Sequence, residues 1–134
     1  MSDYLHPSLD DRELRAMPAL GLAHIGDAVF ELMVRTWLCT RGTATAKNLH
    51  GETVALVSAK AQAAAVKRVL PRLCEGELAV FRRGRNAHVK SVPRGATFEE
   101  YHAATGIEAL FGHLYLSGET SRLYELFDIV VEGK

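Results

Sequence analysis

The sequence predicts an all-α fold, one domain of about six helices. Three observations carry this. Apolar residues recur at spacings of three and four over long stretches. No alternating apolar–polar run is longer than a few residues, so strand signals are absent. Capping residues, prolines and glycines punctuate the periodic stretches where helices should start and stop. The chain has 134 residues, which suits a single domain over 1–134 with a core at about 18–131. Almost half of the residues are apolar (48%), enough to build that core.

Residues 1–7 read as a mobile start. Ser8 with Asp11 resembles a capping box, an aspartate standing in for the usual glutamate, and Leu9 to Met17 follows as a short helix. Pro18 fits the first turn of the next helix. Its body, Leu22 to Leu38, is apolar on most of its circumference. Leu22, Ile25, Val29 and Leu32 form one stripe; Phe30, Met33, Val34 and Trp37 form a second. A helix apolar nearly all round belongs in a core, and the second stripe is also available to an interface. Gly42 is its C-cap.

Thr43 to Gly51 is a polar connection with room for a short helical turn. Thr53 to Leu70 reads as one helix, with Val54, Val57, Ala61, Ala65 and Val69 in register, and Pro71 stops it. Glu75 starts a helix that reaches about Phe81, with acids in its first turn as the dipole favours. Arg82 to Arg94, RRGRNAHVKSVPR, then holds five Lys and Arg residues and no acid; Gly84, Pro93 and Gly95 mark it as partly loop. Thr97 with Glu100 is a capping box for a helix running to Gly118. Phe98, Tyr101, Leu110, Leu114 and Tyr115 supply its packing surface. Ala104, Ala109 and Gly112 are small enough to let another backbone approach closely. A last helix, about Glu119 to Val131, places Leu123, Leu126, Phe127 and Val130 inward.

Composition excludes several classes. No segment has eighteen consecutive apolar residues, so no transmembrane span is expected. The N-terminus lacks the basic and apolar blocks of a signal peptide. Cys39 and Cys74 are too few for a disulfide framework and fit a reduced, cytoplasmic protein. The formal net charge is zero, so any attraction for nucleic acid must be local. Neither a zinc-protease helix motif nor a nucleophile-elbow pattern is present.

One polar line crosses the apolar helix: His24, Asp27, Glu31 and Arg35, on a single face. It reads either as an ion-pair ladder from Glu31 to Arg35 or as a catalytic or metal site. Asp27 lies between Gly26 and Ala28, and Glu108 has Gly106, Ala109 and Gly112 nearby. Small neighbours would let the two helices pack closely and bring the carboxylates together. Facing carboxylates repel unless a proton or cation lies between them. Mg²⁺ takes such ligands together with water and substrate phosphate, and supports phosphodiester hydrolysis. The Arg82–Arg94 segment is either a solvated loop or a phosphate-binding one. In the second reading its arginines fork phosphates, Gly84 permits close approach and Asn86 bonds sugar hydroxyls.

LAHIGDAVFELMVR resembles the signature of the ribonuclease III catalytic domain, and TGIEALFGHLYL resembles that family's second acidic motif. The order matches, and the chain ends soon afterwards, leaving no room for a double-stranded-RNA-binding domain. With VSAKAQA (Val57–Ala63) and RRGRNA (Arg82–Ala87), this resembles the Mini-ribonuclease III branch, from about Pro18 to Phe127. The resemblance implies a ribonuclease III-type helical endonuclease fold. It implies a dimeric, Mg²⁺-dependent endoribonuclease acting on double-stranded RNA and leaving a 5′-phosphate and a 3′-hydroxyl. It implies maturation of large-subunit (23S) ribosomal RNA precursor. Asp27 and Glu108 match the metal-binding acids, with Glu31 an outer-shell candidate. Arg82, Arg83, Arg85, Asn86, Lys60 and Lys90 are the expected RNA contacts. Ordinary members have a glutamate where Ala23 stands and an aspartate where Thr105 stands, so a four-carboxylate, two-metal site is not expected. His24, where the family has an aromatic, receives no role. Whether a ribosomal protein assists is open. The rival readings are a non-catalytic RNA-binding domain of the same fold acting in ribosome assembly, and a helical interaction module without RNA.

Overall fold

Seven α-helices and one 3₁₀ turn make up residues 3–42, 45–88 and 91–134, the residues that the computed structural model describes; no strand occurs among them. They are α1 (Asp11–Ala16), α2 (Ala19–Arg41), α3 (Ala46–Val57), α4 (Ala59–Val69), the 3₁₀ turn Leu70–Arg72, α5 (Glu75–Arg85), α6 (Phe98–Leu116) and α7 (Thr120–Val130).

Helix α6 is the centre. α2, α5 and α4 pack around it, and α7 closes over α4 and α6. Phe30 of α2, Phe81 of α5, Phe111, Ile107 and Leu110 of α6 and Leu126 of α7 are almost completely buried. Phe30 meets Phe111 with ring centroids 5.2 Å apart. α2 and α6 cross at near backbone contact. A Cβ on Gly26 would lie 1.6 Å from the Glu108 carbonyl oxygen, and one on Gly112 would lie 2.0 Å from that of Leu22. No side chain fits at either position, so the two glycines set the crossing and its register.

The caps explain several boundaries. α2 ends at Gly42 (φ +70°), as expected, while Pro18 is its N-cap and stands just before the first turn instead of in it. Thr97 and Glu100 close the capping box of α6. At α1 the box is Asp10 with Glu13, not Ser8 with Asp11: the Glu13 N–H donates to Asp10 Oδ1 at 2.8 Å. A glutamate is long enough to reach back to the cap N–H. Ser8 instead belongs to a segment laid on α6, where the Leu9 N–H donates to the Leu116 carbonyl at 2.8 Å. The Tyr115 hydroxyl also donates to the Tyr4 carbonyl, so the irregular start is tied down.

Several expectations change. The stretch Thr53–Leu70 is two helices, because Ser58 is extended (ψ 153°) and its hydroxyl accepts from the Ala61 N–H at 3.2 Å. Most of the polar connection before it is α3. α5 runs to Arg85 rather than about Phe81, so Arg82, Gly84 and Arg85 are helical and not loop. Gly84 is buried against α6, where a Cβ would meet that of Ala109 at 2.6 Å; its smallness serves helix packing and not phosphate approach. Finally, the second stripe of α2 is largely core: Phe30 and Val34 are fully buried, Met33 and Trp37 half-buried. The exposed apolar side chains include Leu32, from the first stripe, Val54, from the register of the next helix, and Phe98, which is 65% exposed instead of buried.

Candidate active site

The polar line of α2 faces outward. His24 and Asp27 are exposed and Glu31 is half-buried. Glu31 pairs with Arg35 at 2.9 Å, so the ion-pair ladder is real for that half of the line. Arg35 is well exposed and Glu31 partly so, and such a pair contributes little: about 0.5 kcal/mol. Asp27 takes no part in it. One residue beyond the Gly26 contact, it lies instead beside Glu108 of α6.

Glu108 is half-buried and pushed up to about 8. Burial is the main cause, followed by the charge of Asp27 and a hydrogen bond in which a protonated Glu108 donates to it; the Gln62 amide pulls the other way. Gln62 Nε2 donates to Glu108 Oε2 at 3.3 Å from α4. Thus three helices meet at this carboxylate. Two carboxylates and solvent access fit Mg²⁺, which accepts oxygen ligands and keeps several waters. Among the described residues no group of three or more His, Cys, Asp and Glu side chains is gathered to hold a metal. A cation here would rest on Asp27 and Glu108 alone.

The positions where ordinary relatives carry further acids are filled otherwise. Ala23 is 6% exposed and packs with Leu14, Leu22 and Ala109 in a small second apolar cluster. Thr105 is buried and donates its hydroxyl to the Tyr101 carbonyl at 3.0 Å. Neither position offers a carboxylate to an ion.

The expected RNA contacts lie on two elements. Arg82, Arg83 and Arg85 form the last turn of α5, and Asn86 is its C-cap; all four are exposed. Arg83 is partly committed, since its Nη2 donates to the Met17 carbonyl at 3.0 Å and ties α5 to the α1–α2 corner. Arg85 Nε donates to Asn86 Oδ1 at 3.3 Å. Lys60 is exposed in the first turn of α4. Lys90 lies outside the described residues.

Two site residues escaped the sequence. Gln62 was only one polar letter within VSAKAQA, and nothing in the pattern distinguishes it from Lys60 two residues before. His102 clamps the end of the basic helix: its Nδ1 lies 2.8 Å from the Arg85 carbonyl and its ring packs at a tilt against Phe98, with centroids 4.1 Å apart. A carbonyl at a helix C-terminus lacks an intrahelical partner, and the imidazole supplies one.

The family model "Ribonuclease III domain" matches residues 20–119. A Mini-ribonuclease 3 from Thermoanaerobacter sp. is 44% identical over 117 residues, covering 87% of this chain and 82% of the relative. One from Symbiobacterium thermophilum is 43% identical over 116 residues, covering 87% and 89%. The crystal structure of a protein from Fusobacterium nucleatum superposes with a TM-score of 0.81 at 31% identity, over 89% of this chain and 97% of the other. The chain belongs to the ribonuclease III family, in its Mini-ribonuclease 3 group.

Proposed function

We propose that the chain hydrolyses phosphodiesters within double-stranded RNA, with Mg²⁺ held by Asp27 and Glu108. Family membership makes it an endoribonuclease; the ion, the duplex and the products are our reading. One observation carries it: two carboxylates from crossing helices, Asp27 and Glu108, are brought side by side at an accessible place, at the cost of raising the proton affinity of Glu108. A fold does not keep such a pair for stability, because like charges together cost free energy. When bound, a divalent cation would supply an activated water and stabilise the leaving oxygen.

The chain's own residues do the rest. Gly26 and Gly112 hold the two carboxylates in register. Arg82, Arg85 and Asn86 at the end of α5, with Arg83 and Lys60, hold backbone phosphates and sugar hydroxyls. Shape dominates such recognition, so sequence preference is limited. The products carry a 5′-phosphate and a 3′-hydroxyl, and the substrate is large-subunit (23S) ribosomal RNA precursor in the cytoplasm. The active form is a homodimer, since a two-fold relates the two strands of a duplex. An apolar groove of about 420 Å³, lined by Val29, Leu32, Met33, Leu123 and Tyr124, supports this. Leu32 and Tyr124 are both more than half exposed there.

The test is incubation of the purified protein with long duplex RNA, with and without Mg²⁺, and analysis of the product ends. Short duplexes with 5′-phosphates, formed only with the ion, are expected. Tight binding without cleavage would instead favour the RNA-binding domain of ribosome assembly. A monomer mass by light scattering, with full activity, would overturn the dimer.

A further inference from the structure

Gln62 is 2% exposed on a helix whose other fully buried residues, Ala65, Val66 and Val69, are apolar. A buried amide is retained where it is hydrogen-bonded, and its partner is a carboxylate 46 residues away in the sequence. Its place follows from how α4 starts. The Ser58 hydroxyl accepts from the Ala61 N–H, and the Ser58 carbonyl accepts from the Gln62 N–H at 2.9 Å. The break at Ser58 thereby directs the first turn of α4 against α6. Glu108 then stands between Gln62 and Asp27.

We propose that Gln62 is a positioning residue for the cation: it holds Glu108 Oε2 and so leaves the other oxygen turned to the ion. The inference rests on the Mg²⁺ reading above. An amide suits the role because it orients the carboxylate without neutralising it. Lysine or arginine in the same place would act as the counter-ion and compete with the metal. Partners of metal ligands at this remove typically change metal affinity or activity by about 10- to 100-fold when lost.

The experiment measures Mn²⁺ binding to RNA-free protein by calorimetry, for wild type, Gln62→Met and Gln62→Asn. Methionine fills a similar volume without a donor. Asparagine keeps an amide but withdraws it by one methylene. Both should raise the Mn²⁺ Kd about tenfold or more, with kcat at saturating ion falling less than ion affinity. A packing role alone would lower Tm and leave Kd unchanged. Nitrogen NMR of the wild-type Gln62 side chain needs no variant to fold: its amide resonance should move along the Mg²⁺ binding isotherm. A folded Gln62→Met that binds Mn²⁺ within twofold of wild type, or an amide unmoved at saturating Mg²⁺, overturns the role of Gln62 alone. A wild type that binds neither ion overturns the metal reading with it.

Discussion

Replacing Glu108 with glutamine should make the metal-free protein more stable at alkaline pH. Glu108 binds its proton up to about pH 8 when folded, against 4.5 for an ordinary glutamate. Below pH 4.5 the carboxyl is protonated in both states and costs nothing. Between 4.5 and 8 the unfolded chain gives up its proton while the folded one keeps it, so stability falls as pH rises. Above 8 the whole cost is present. At about 1.4 kcal/mol per tenfold change in proton affinity, the interval sets a ceiling of about 5 kcal/mol. Water reaching the half-buried carboxylate lowers the working figure to about 2 kcal/mol. For a domain of this size that is a shift of roughly 6 °C in Tm. The assay is thermal unfolding in EDTA from pH 4.5 to 9, read as the difference between wild type and Glu108→Gln. Differencing removes the histidines, which titrate in both proteins. The variant should gain on wild type as pH rises, and saturating Mg²⁺ at pH 8.5 should restore wild type more than the variant. Parallel profiles with no gain above pH 7 would refute the reasoning.

Other consequences follow from single contacts. Arg122 forks Glu77 at 2.7 and 2.9 Å and donates to the Arg72 carbonyl at 2.7 Å, and it holds the Glu77 carboxyl below its usual range. Arg122→Ala should cost about 2 kcal/mol near neutrality, and less below pH 4, because this pair contributes above the unfolded glutamate value and is lost on acidification; urea unfolding at pH 7 and pH 3.5 checks it. Gly26→Ala forces a methyl onto the Glu108 carbonyl and should cost about 3 kcal/mol or more, seen as a large fall in Tm or as insoluble protein. Arg85→Ala should weaken binding to every duplex and flatten the slope of log affinity against log salt by roughly 0.7 to 0.9, measured by fluorescence anisotropy. Arg85 is the better probe than Arg83, whose removal also frees the α1–α2 corner.

Much of this arrangement can be read from residue order. Gly26–Asp27 and Glu108 with Gly112 name the crossing of α2 on α6, because only small residues permit it and an acid lies near the contact on each helix. The Thr97–Glu100 box and Gly42 mark helix ends through local chemistry. What the sequence hides depends on distant contacts. Ser58 ends one helix and starts another through its own hydrogen bonds, while the alanine-rich register runs on unbroken. RRGR looks like loop, yet its glycine is used by Ala109 of α6 to bring α5 close. Periodicity places Leu32 in an apolar stripe but cannot say that nothing covers it. Gln62 is invisible for the same reason: its importance lies in a carboxylate on another helix.

The most direct test of the central claim compares binding and cleavage of one labelled duplex RNA by wild type and Asp27→Asn, at equal Mg²⁺. Asp27→Asn keeps the volume of the side chain and removes the charge that would hold the ion, while the basic end of α5 is untouched. The account predicts binding within about threefold of wild type and no product, with wild-type cleavage lost in EDTA. Product from Asp27→Asn at near-wild-type rate, or wild-type cleavage undiminished in EDTA, would contradict it.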